Sequence, residues 1–161
     1  MKVTIAAVGT KMPGWVEQAC NEYQKRLVGP CQLEFLAVTA VPRTKNADLA
    51  QIAKLEAQQL EKKLAAIPVI IALDRNGKTL TTEKFASRLQ TWVDEAQDVA
   101  LVIGGPEGLT PDYISRASES WSLSAMTMAH PVARVVMAEQ VYRAWSINAG
   151  LPYHRAETFA R

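Results

Sequence analysis

Three stretches in the second half of the chain combine residue types that could bind a ligand or move a proton. The first is Gly104-Gly105-Pro106-Glu107-Gly108, which follows an apolar run and precedes a helix start of the Thr-Pro-Asp type at 110–112. Open α/β sheets bind ligands at such loops, beyond the carboxyl ends of their strands. The spacing is neither GxGxxG nor a P-loop followed by lysine, which argues against a dinucleotide, a nucleoside triphosphate or a flavodoxin-like redox module. A tight turn that requires positive φ is the alternative explanation of these glycines.

The second stretch, residues 120–131, alternates small hydroxyl residues with apolar ones. Such a segment could offer backbone donors and acceptors to a flat heterocycle, while its Leu and Met side chains cover the two faces. An ordinary edge strand shows the same pattern. His130, just before Pro131, is by itself more typical of a hydrogen-bonding loop residue than of a catalyst.

The third stretch places Tyr153, His154 and Arg155 in succession after Pro152. Together they could stack on a base, handle a proton near neutral pH and contact a phosphate. Because chain ends often fray, chance proximity on a mobile tail is the alternative.

Composition excludes several classes of protein. Eighteen Lys and Arg against 16 Asp and Glu give a net charge of +2, too small for binding nucleic acid by bulk charge, so any such site must be local. Every lysine lies at or before Lys84, and every later cation is an arginine. The cysteines and histidines have no metal-ligand spacing, so we expect no metal. No signal peptide or membrane span is recognisable, and we expect a cytoplasmic protein without a membrane partner.

The elements that must position these stretches follow a βαβ pattern. Apolar, β-branched runs alternate with segments of helical period, and the 161 residues suit a single domain. The pattern predicts an α/β fold with a mainly parallel sheet flanked by helices. We expect strands at 3–8, 33–38, 69–73, 99–103 and 121–126, and helices that start near Pro13, after an Asn46 cap, after Thr81 or Thr82, after Thr110, and at Pro131. In the first of these helices, the residues expected to face the core are Trp15, Val16, Ala19, Tyr23 and Leu27.

The last predicted helix, from Pro131 to just before Gly150, is apolar on more than one face. A helix of this kind must be buried on more than one side. In so short a chain, packing of one face on the sheet and another on a second subunit predicts a homodimer. A wholly internal helix in a monomer is the alternative.

Eight short motifs occur in order along the chain. They are Val8-Gly9-Thr10-Lys11-Met12-Pro13, Lys45-Asn46-Ala47, Leu73-Asp74, Ile103-Gly104-Gly105-Pro106-Glu107-Gly108, Trp121-Ser122-Leu123-Ser124, His130-Pro131, Tyr142-Arg143-Ala144-Trp145 and Pro152-Tyr153-His154-Arg155. Taken together, these motifs resemble the ribosomal RNA large subunit methyltransferase H family, a compact branch of the SPOUT methyltransferases. The similarity covers essentially the whole chain, with Ala129 at a position where proline is frequent and with residues 156–161 extending past the usual end.

The resemblance implies a single SPOUT domain over 1–161, with a C-terminal trefoil knot and cofactor site at about 99–155. The cofactor would be S-adenosylmethionine, which has no phosphate and therefore needs no P-loop. The cofactor-binding residues implied are Leu73, Gly104, Gly105, Leu123, Ser124, Ala125, Met126, Thr127 and Met128.

The family methylates N3 of a pseudouridine in 23S rRNA of the assembled ribosome and acts as a homodimer. The resemblance therefore implies catalytic roles for His154, Arg143 and Arg155, and substrate contacts by His130, Arg134, Tyr142 and Tyr153. The tail could reach the cofactor site of the partner subunit. Two alternatives remain open: a SPOUT enzyme acting on another RNA such as tRNA, and a non-catalytic ribosome-binding protein of the same fold.

Overall fold

The structure, a computed structural model, describes residues 1–155. The extension 156–161 noted above lies outside the described residues. Strands and helices alternate along the chain in ten elements: β1 (Lys2–Val8), α1 (Gly14–Arg26), β2 (Gln32–Val38), α2 (Leu49–Lys63), β3 (Val69–Thr79), α3 (Thr82–Asp94), β4 (Val99–Ile103), α4 (Pro111–Arg116), β5 (Glu119–Ser122) and α5 (His130–Asn148).

The five strands form one sheet in the order β2-β1-β4-β3-β5, and every strand pairing is parallel. The central strands β1 and β4 are almost entirely buried. This explains their continuous apolar runs, because strands of a parallel sheet are covered on both faces. The predicted α/β architecture is confirmed, and the carboxyl ends of β1, β4 and β3 meet at one edge.

Two helical layers cover the sheet. Ile5 and Ala7 of β1 belong to the core under α1, α3 and α5, whereas Ala6 and Val8 belong to the core under α2 and α4. This division follows from the alternation of side chains along a strand. Helix α5 lies between α1 and α3 and contacts both.

The helix starts agree with the predicted caps in two of three cases. Thr81 accepts a hydrogen bond from the backbone N–H of Lys84 (3.2 Å), and Thr110 accepts one from Tyr113 (3.1 Å). The Asn46 cap is wrong: Asp48 caps α2, accepting from the N–H of Gln51 at 3.2 Å. Both residue types cap well, but a carboxylate also gains from the positive end of the helix dipole.

The fifth strand is shorter than predicted, ending at Ser122 instead of residue 126. The Oγ of Ser122 donates to the carbonyl of Ser124 (3.1 Å), and the Oγ of Ser124 accepts from the N–H of Met126 (3.0 Å). These local bonds replace the strand ladder. The segment after β5 is therefore a loop, free to form a wall of a site.

Helix α5 buries one side and leaves several of its other apolar side chains partly exposed. Ala133, Met137, Ala138, Val141 and Ala144 are buried, while Val132, Val135, Val136 and Trp145 keep some exposure. The predicted burial of Trp15 is also wrong, since 56% of this residue is exposed. Its neighbour Val16, also expected to face the core, is buried, about 100° further round the helix. No helix within residues 1–155 is long and apolar enough to cross a membrane.

Candidate functional site

A cavity of about 660 Å³ opens at the carboxyl edge of β3 and β4. Its size lies within the usual range of roughly 300–1,000 Å³ for small-molecule sites. Three segments form its walls: Leu73, Asp74 and Arg75 of β3, where the pairing with β5 becomes irregular, the glycine loop after β4, and the loop that joins β5 to α5. The lining residues are Leu73, Asp74, Arg75, Ile103, Gly104, Gly105, Pro106, Glu107, Gly108, Leu123, Ser124, Met126, Thr127, Met128, Ala129, His130 and Ala133.

The structure brings most of the sequence-predicted cofactor residues to this one cavity. Leu73, Gly104, Gly105, Leu123, Ser124, Met126, Thr127 and Met128 all line it, and Ala125 does not. Asp74, Arg75 and Glu107 also line it and were missed. Their only signal in the sequence was their position beside predicted residues, because their side-chain directions depend on the turns.

The glycine loop allows a close backbone approach. A Cβ on Gly104 would lie 2.5 Å from the carbonyl carbon of Gly108 and 2.6 Å from the nitrogen of Leu109. Gly108 has a φ of +78° and donates from its N–H to the carbonyl of Gly105 at 2.9 Å. The tight turn considered from the sequence is thus present, and this turn also forms a wall of the cavity.

Arg43, from the loop between β2 and α2, holds the glycine loop in place. Its guanidinium donates to both carboxylate oxygens of Glu107 and to both oxygens of Glu56, at 2.6–3.1 Å. Glu56 is only 3% exposed and also accepts from the N–H of Val41. The Arg43 guanidinium lowers the pKa of Glu107 below its usual value of 4.5. No sequence pattern indicates this network, because it joins residues far apart in the chain.

The charged side chains of the cavity wall include two acids. Asp74 and Glu107 line it together with Arg75 and His130. Arg75 donates to the Oγ1 of Thr127 at 3.0 Å and so joins two walls. The pKa of His130 is lowered below 6.5, chiefly by burial and then by the nearby cations Arg134 and Arg43. The imidazole of His130 is therefore neutral at pH 7.

The predicted catalytic residues gather elsewhere, where the tail folds back onto α5 and α3. Arg143 lies 2.6 Å from the Oε1 of Glu139 and 3.3 Å from the Nδ1 of His154. The Nε2 of His154 lies 3.0 Å from the Oε1 of Glu83. The Tyr153 ring lies under the Arg143 guanidinium, 4.7 Å from it. Arg155, the last residue described, is exposed.

Tyr142 and Tyr153 belong to an aromatic cluster beside this group. Their ring centroids are 4.5 Å apart, and Tyr142 also packs against Tyr23 and Trp145. Burial, followed by the charge of Glu139, raises the pKa of Tyr153 to about 12. Tyr153 is therefore a neutral hydrogen-bond donor, and its hydroxyl donates to the Oε1 of Glu139 at 3.3 Å.

The cavity and the tail cluster lie at opposite ends of α5. His130 is the first residue of this helix and Arg143 is its fourteenth, which separates them by about 20 Å along the axis at ~1.5 Å per residue. Arg134 lies near the cavity end and is buried, donating to the carbonyls of Val8 (2.7 Å) and Gly9 (2.8 Å). Residues 1–155 contain no cluster of His, Cys, Asp or Glu that could hold a metal ion.

The fold and the site define an α/β protein with a cavity of small-molecule size at the carboxyl edge of a parallel sheet, where open α/β sheets bind ligands. A family model described as "Predicted SPOUT methyltransferase" matches residues 1–154. The chain belongs to the SPOUT methyltransferase family. The members of this family use S-adenosylmethionine as methyl donor, and the protein is a methyltransferase that depends on this cofactor.

Two solved structures are similar in fold. One is a probable methylase family protein from Haemophilus influenzae Rd KW20, with a TM-score of 0.60 and 9% identity over 96% of this chain and 70% of that chain. The other is a probable methyltransferase from Bordetella pertussis Tohama I, with a TM-score of 0.60 and 21% identity over 89% of this chain and 93% of that chain. At these identities the likeness concerns the fold.

Proposed function

We propose that this protein methylates N3 of a pseudouridine in 23S rRNA of the assembled ribosome, as a homodimer in the cytoplasm. The proposal joins the SPOUT family membership to the sequence motifs of the methyltransferase H branch. The observation that carries it is the composition of the cavity wall, which combines a glycine loop, two carboxylates and apolar side chains. The single domain spans the chain, and its segment 99–155 forms the knot of the family.

The cavity suits S-adenosylmethionine. Leu73, Leu123 and Met128 offer apolar surfaces to the two faces of an adenine, and the turn at Gly104 and Gly105 brings the backbone close. The cofactor carries a positive sulfonium and an ammonium group, so carboxylates suit it better than the lysines of a phosphate site. When bound, the cofactor supplies an electrophilic methyl group.

In the proposed mechanism, residues of this chain orient the base and handle one proton. N3 of the base is an imide nitrogen that must lose its proton before or during methyl transfer. His154 takes this proton, while Arg143 and Arg155 hold the negative charge that develops or a neighbouring phosphate. Tyr153 stacks on the base, and His130, Arg134 and Tyr142 support the substrate side of the site. Positioning N3 in line with the methyl group contributes much of the acceleration.

The distance between the two clusters supports a shared active site. About 20 Å of helix separates His130 from Arg143, too far for both to act on one base within one subunit. In a homodimer, the tail of one subunit would complete the cavity of the other. The exposed part of the apolar surface of α5, including Val132, supports a partner on this helix.

Mass spectrometry of rRNA from a strain that lacks the protein tests the substrate. We expect the methyl group to be lost at one pseudouridine of 23S rRNA and to return when purified protein and cofactor are added to the mutant ribosomes. Loss from a tRNA instead would favour the second RNA substrate. Unchanged modification, with no calorimetric binding of S-adenosylmethionine at millimolar concentration, would favour a non-catalytic ribosome-binding protein.

A mixed dimer tests the shared site. One subunit carries Gly104→Ala in the cavity, and the other ends before Tyr153. Each homodimer should be inactive, and the heterodimer should recover about half of the activity of a wild-type dimer, since one of its two sites keeps an intact cavity and an intact tail. A confirmed heterodimer without activity would contradict sharing.

A further inference from the structure

His130 and Arg134 meet at the carboxyl end of β1. They are four residues apart on α5 and therefore share one helix face. A Cβ placed on Gly9 would lie 3.3 Å from the Nη2 of Arg134 and 3.5 Å from the Cε1 of His130. Gly9 has a φ of +110°, so the backbone turns there and both side chains pack against it.

Arg134 places a positive charge at the carboxyl end of β1, and no acidic side chain within residues 1–155 pairs with it. It is 7% exposed, and its Nη2 donates hydrogen bonds to the carbonyls of Val8 and Gly9. Its Nε–H is buried without a hydrogen-bond partner, and no carboxylate within the described chain forms an ion pair with it. Burial lowers the pKa of Arg134, and the neighbouring titratable group is the Cys20 thiol. The guanidinium nevertheless remains a cation at neutral pH.

His130 has one inaccessible ring nitrogen, and its side chain lines the cavity. Its Nδ1 is buried without a partner, as is the Nε of Arg134. A proton on Nδ1 would add a second unpartnered buried donor beside the Arg134 cation, whereas a bare Nδ1 places a lone pair there. Because Nδ1 is inaccessible and the side chain lines the cavity, Nε2 is the nitrogen that can reach a ligand.

We propose that His130 is a hydrogen-bond donor to the substrate base, held neutral with its proton on Nε2. This inference rests on the proposed function and assigns to His130 a specific part of it. As N3 loses its proton to a base, negative charge spreads onto the flanking carbonyl oxygens. The electron pair of N3 then forms the bond to the methyl carbon, the carbon–sulfur bond breaks onto sulfur, and a neutral thioether leaves. The Nε2–H of His130 donates to one carbonyl oxygen while it carries the charge.

The surroundings of His130 favour the neutral ring. Burial lowers its pKa, as do Arg134 and Arg43, and Glu56 alone opposes them. Glu56 is already engaged by Arg43, and the ring lies at the positive end of α5. A neutral donor does not require a proton to be gained or lost during the reaction, and this distinguishes it from a general base.

The tautomer of His130 can be measured by NMR, independently of any enzymatic assay. The chain has only two histidines, so ¹⁵N spectra of the imidazoles contain two ring systems, and His154→Gln identifies that of His130. We expect a bare Nδ1 and a protonated Nε2 for His130 in the free protein at pH 7, with and without S-adenosylmethionine. A proton on Nδ1, or a cationic ring at pH 7, would overturn the proposal.

Activity on ribosomes that lack the methyl group separates a donor from a base. His130→Ala should lower kcat about a hundredfold, the usual loss on removing one oxyanion donor, whereas His130→Gln keeps an N–H donor and should stay within about tenfold of wild type. Affinity for S-adenosylmethionine should change little in either. Equal losses in both variants, or wild-type kcat in His130→Ala, would overturn the donor role. If the wild-type protein itself leaves ribosomes unmodified, the substrate assignment fails, and the tautomer of His130 still decides this proposal.

Discussion

The Nη2 of Arg43 lies 2.6 Å from the Oε2 of Glu107 and 2.8 Å from the Oε1 of Glu56. One guanidinium thereby connects a glycine loop that lines the cavity to a carboxylate buried in α2. The planar fork of arginine serves two carboxylates at once, which lysine cannot do in the same geometry. The glycine loop between β4 and α4, which lines the candidate cofactor site, is therefore held in place by Arg43 from the loop between β2 and α2.

Arg43→Gln should destabilise the protein far more than Glu107→Gln. Loss of Arg43 leaves the Glu56 charge buried and unpaired, which typically costs ~3–5 kcal/mol, whereas Glu107 is partly exposed and its loss should cost at most ~1 kcal/mol. Urea unfolding measures both. Glu56→Gln added to Arg43→Gln removes the unpaired charge and should restore part of the stability. Equal costs for the two single variants would contradict the network.

The Arg43–Glu107 ion pair should also produce a measurable acid dependence of stability. Because Arg43 lowers the pKa of folded Glu107 below 4.5, its stabilising contribution is complete above pH 4.5 and is lost as pH falls through the lowered value. The difference in unfolding free energy between wild type and Glu107→Gln should therefore shrink on acidification below 4.5. In an Arg43→Gln background this pH dependence should disappear. A difference that grows on acidification would contradict this assignment.

Gly104→Ala should abolish most cofactor binding while the fold survives. The new methyl would lie 2.5–2.9 Å from backbone atoms of Gly108 and Leu109, so the loop that lines the cavity must shift. Calorimetry should show an affinity for S-adenosylmethionine reduced at least about tenfold, equivalent to ~1.4 kcal/mol. Gly14→Ala is the matched control, since nothing lies within 4 Å of its Cβ position. Equal affinity in the two variants would mean that the loop does not contact the cofactor.

Much of the fold could be read from local patterns, and the differences have identifiable causes. Strands β1 and β4 are continuous apolar runs, and Thr110 with Pro111 marks the start of α4. The end of β5 could not be read, because Ser122 and Ser124 bond to their own backbone only once the chain has turned. Trp15 was misplaced because two consecutive apolar residues both suit the core side of a helix in the sequence, although they point about 100° apart and only Val16 is buried.

The sequence could predict which chain segments form the candidate site, but not the contacts and distances between their side chains. Leu73 comes from β3, Gly104 and Leu123 come from two separate loops, and the family resemblance brings the three together. The contacts of Arg43 with Glu56 and Glu107 could not be predicted, since they span up to 64 positions of the chain. The separation of His130 from the Tyr153 tail depends on the length of α5 and on the direction in which the chain returns after it.

The exposed apolar part of α5 provides the test of the dimer. Val132 is 40% exposed near the cavity end of the helix, and burial of such a side chain contributes ~1.5–3 kcal/mol. In a two-fold dimer, Val132→Asp would place one charge from each protomer at the interface, and we expect the dimer dissociation constant to rise at least about a hundredfold, or ~2.7 kcal/mol. Leu55→Asp on α2 is the control, because Leu55 is similarly exposed (38%) on the opposite face of the sheet. Sedimentation should give a monomer for Val132→Asp and a dimer for Leu55→Asp and wild type at micromolar concentration.

Since the cavity is formed within one chain and the tail would come from the partner, the monomer should still bind S-adenosylmethionine but should not methylate ribosomes. A Val132→Asp protein that sediments as a dimer would place the interface on another surface, and an active monomer would rule out the shared site.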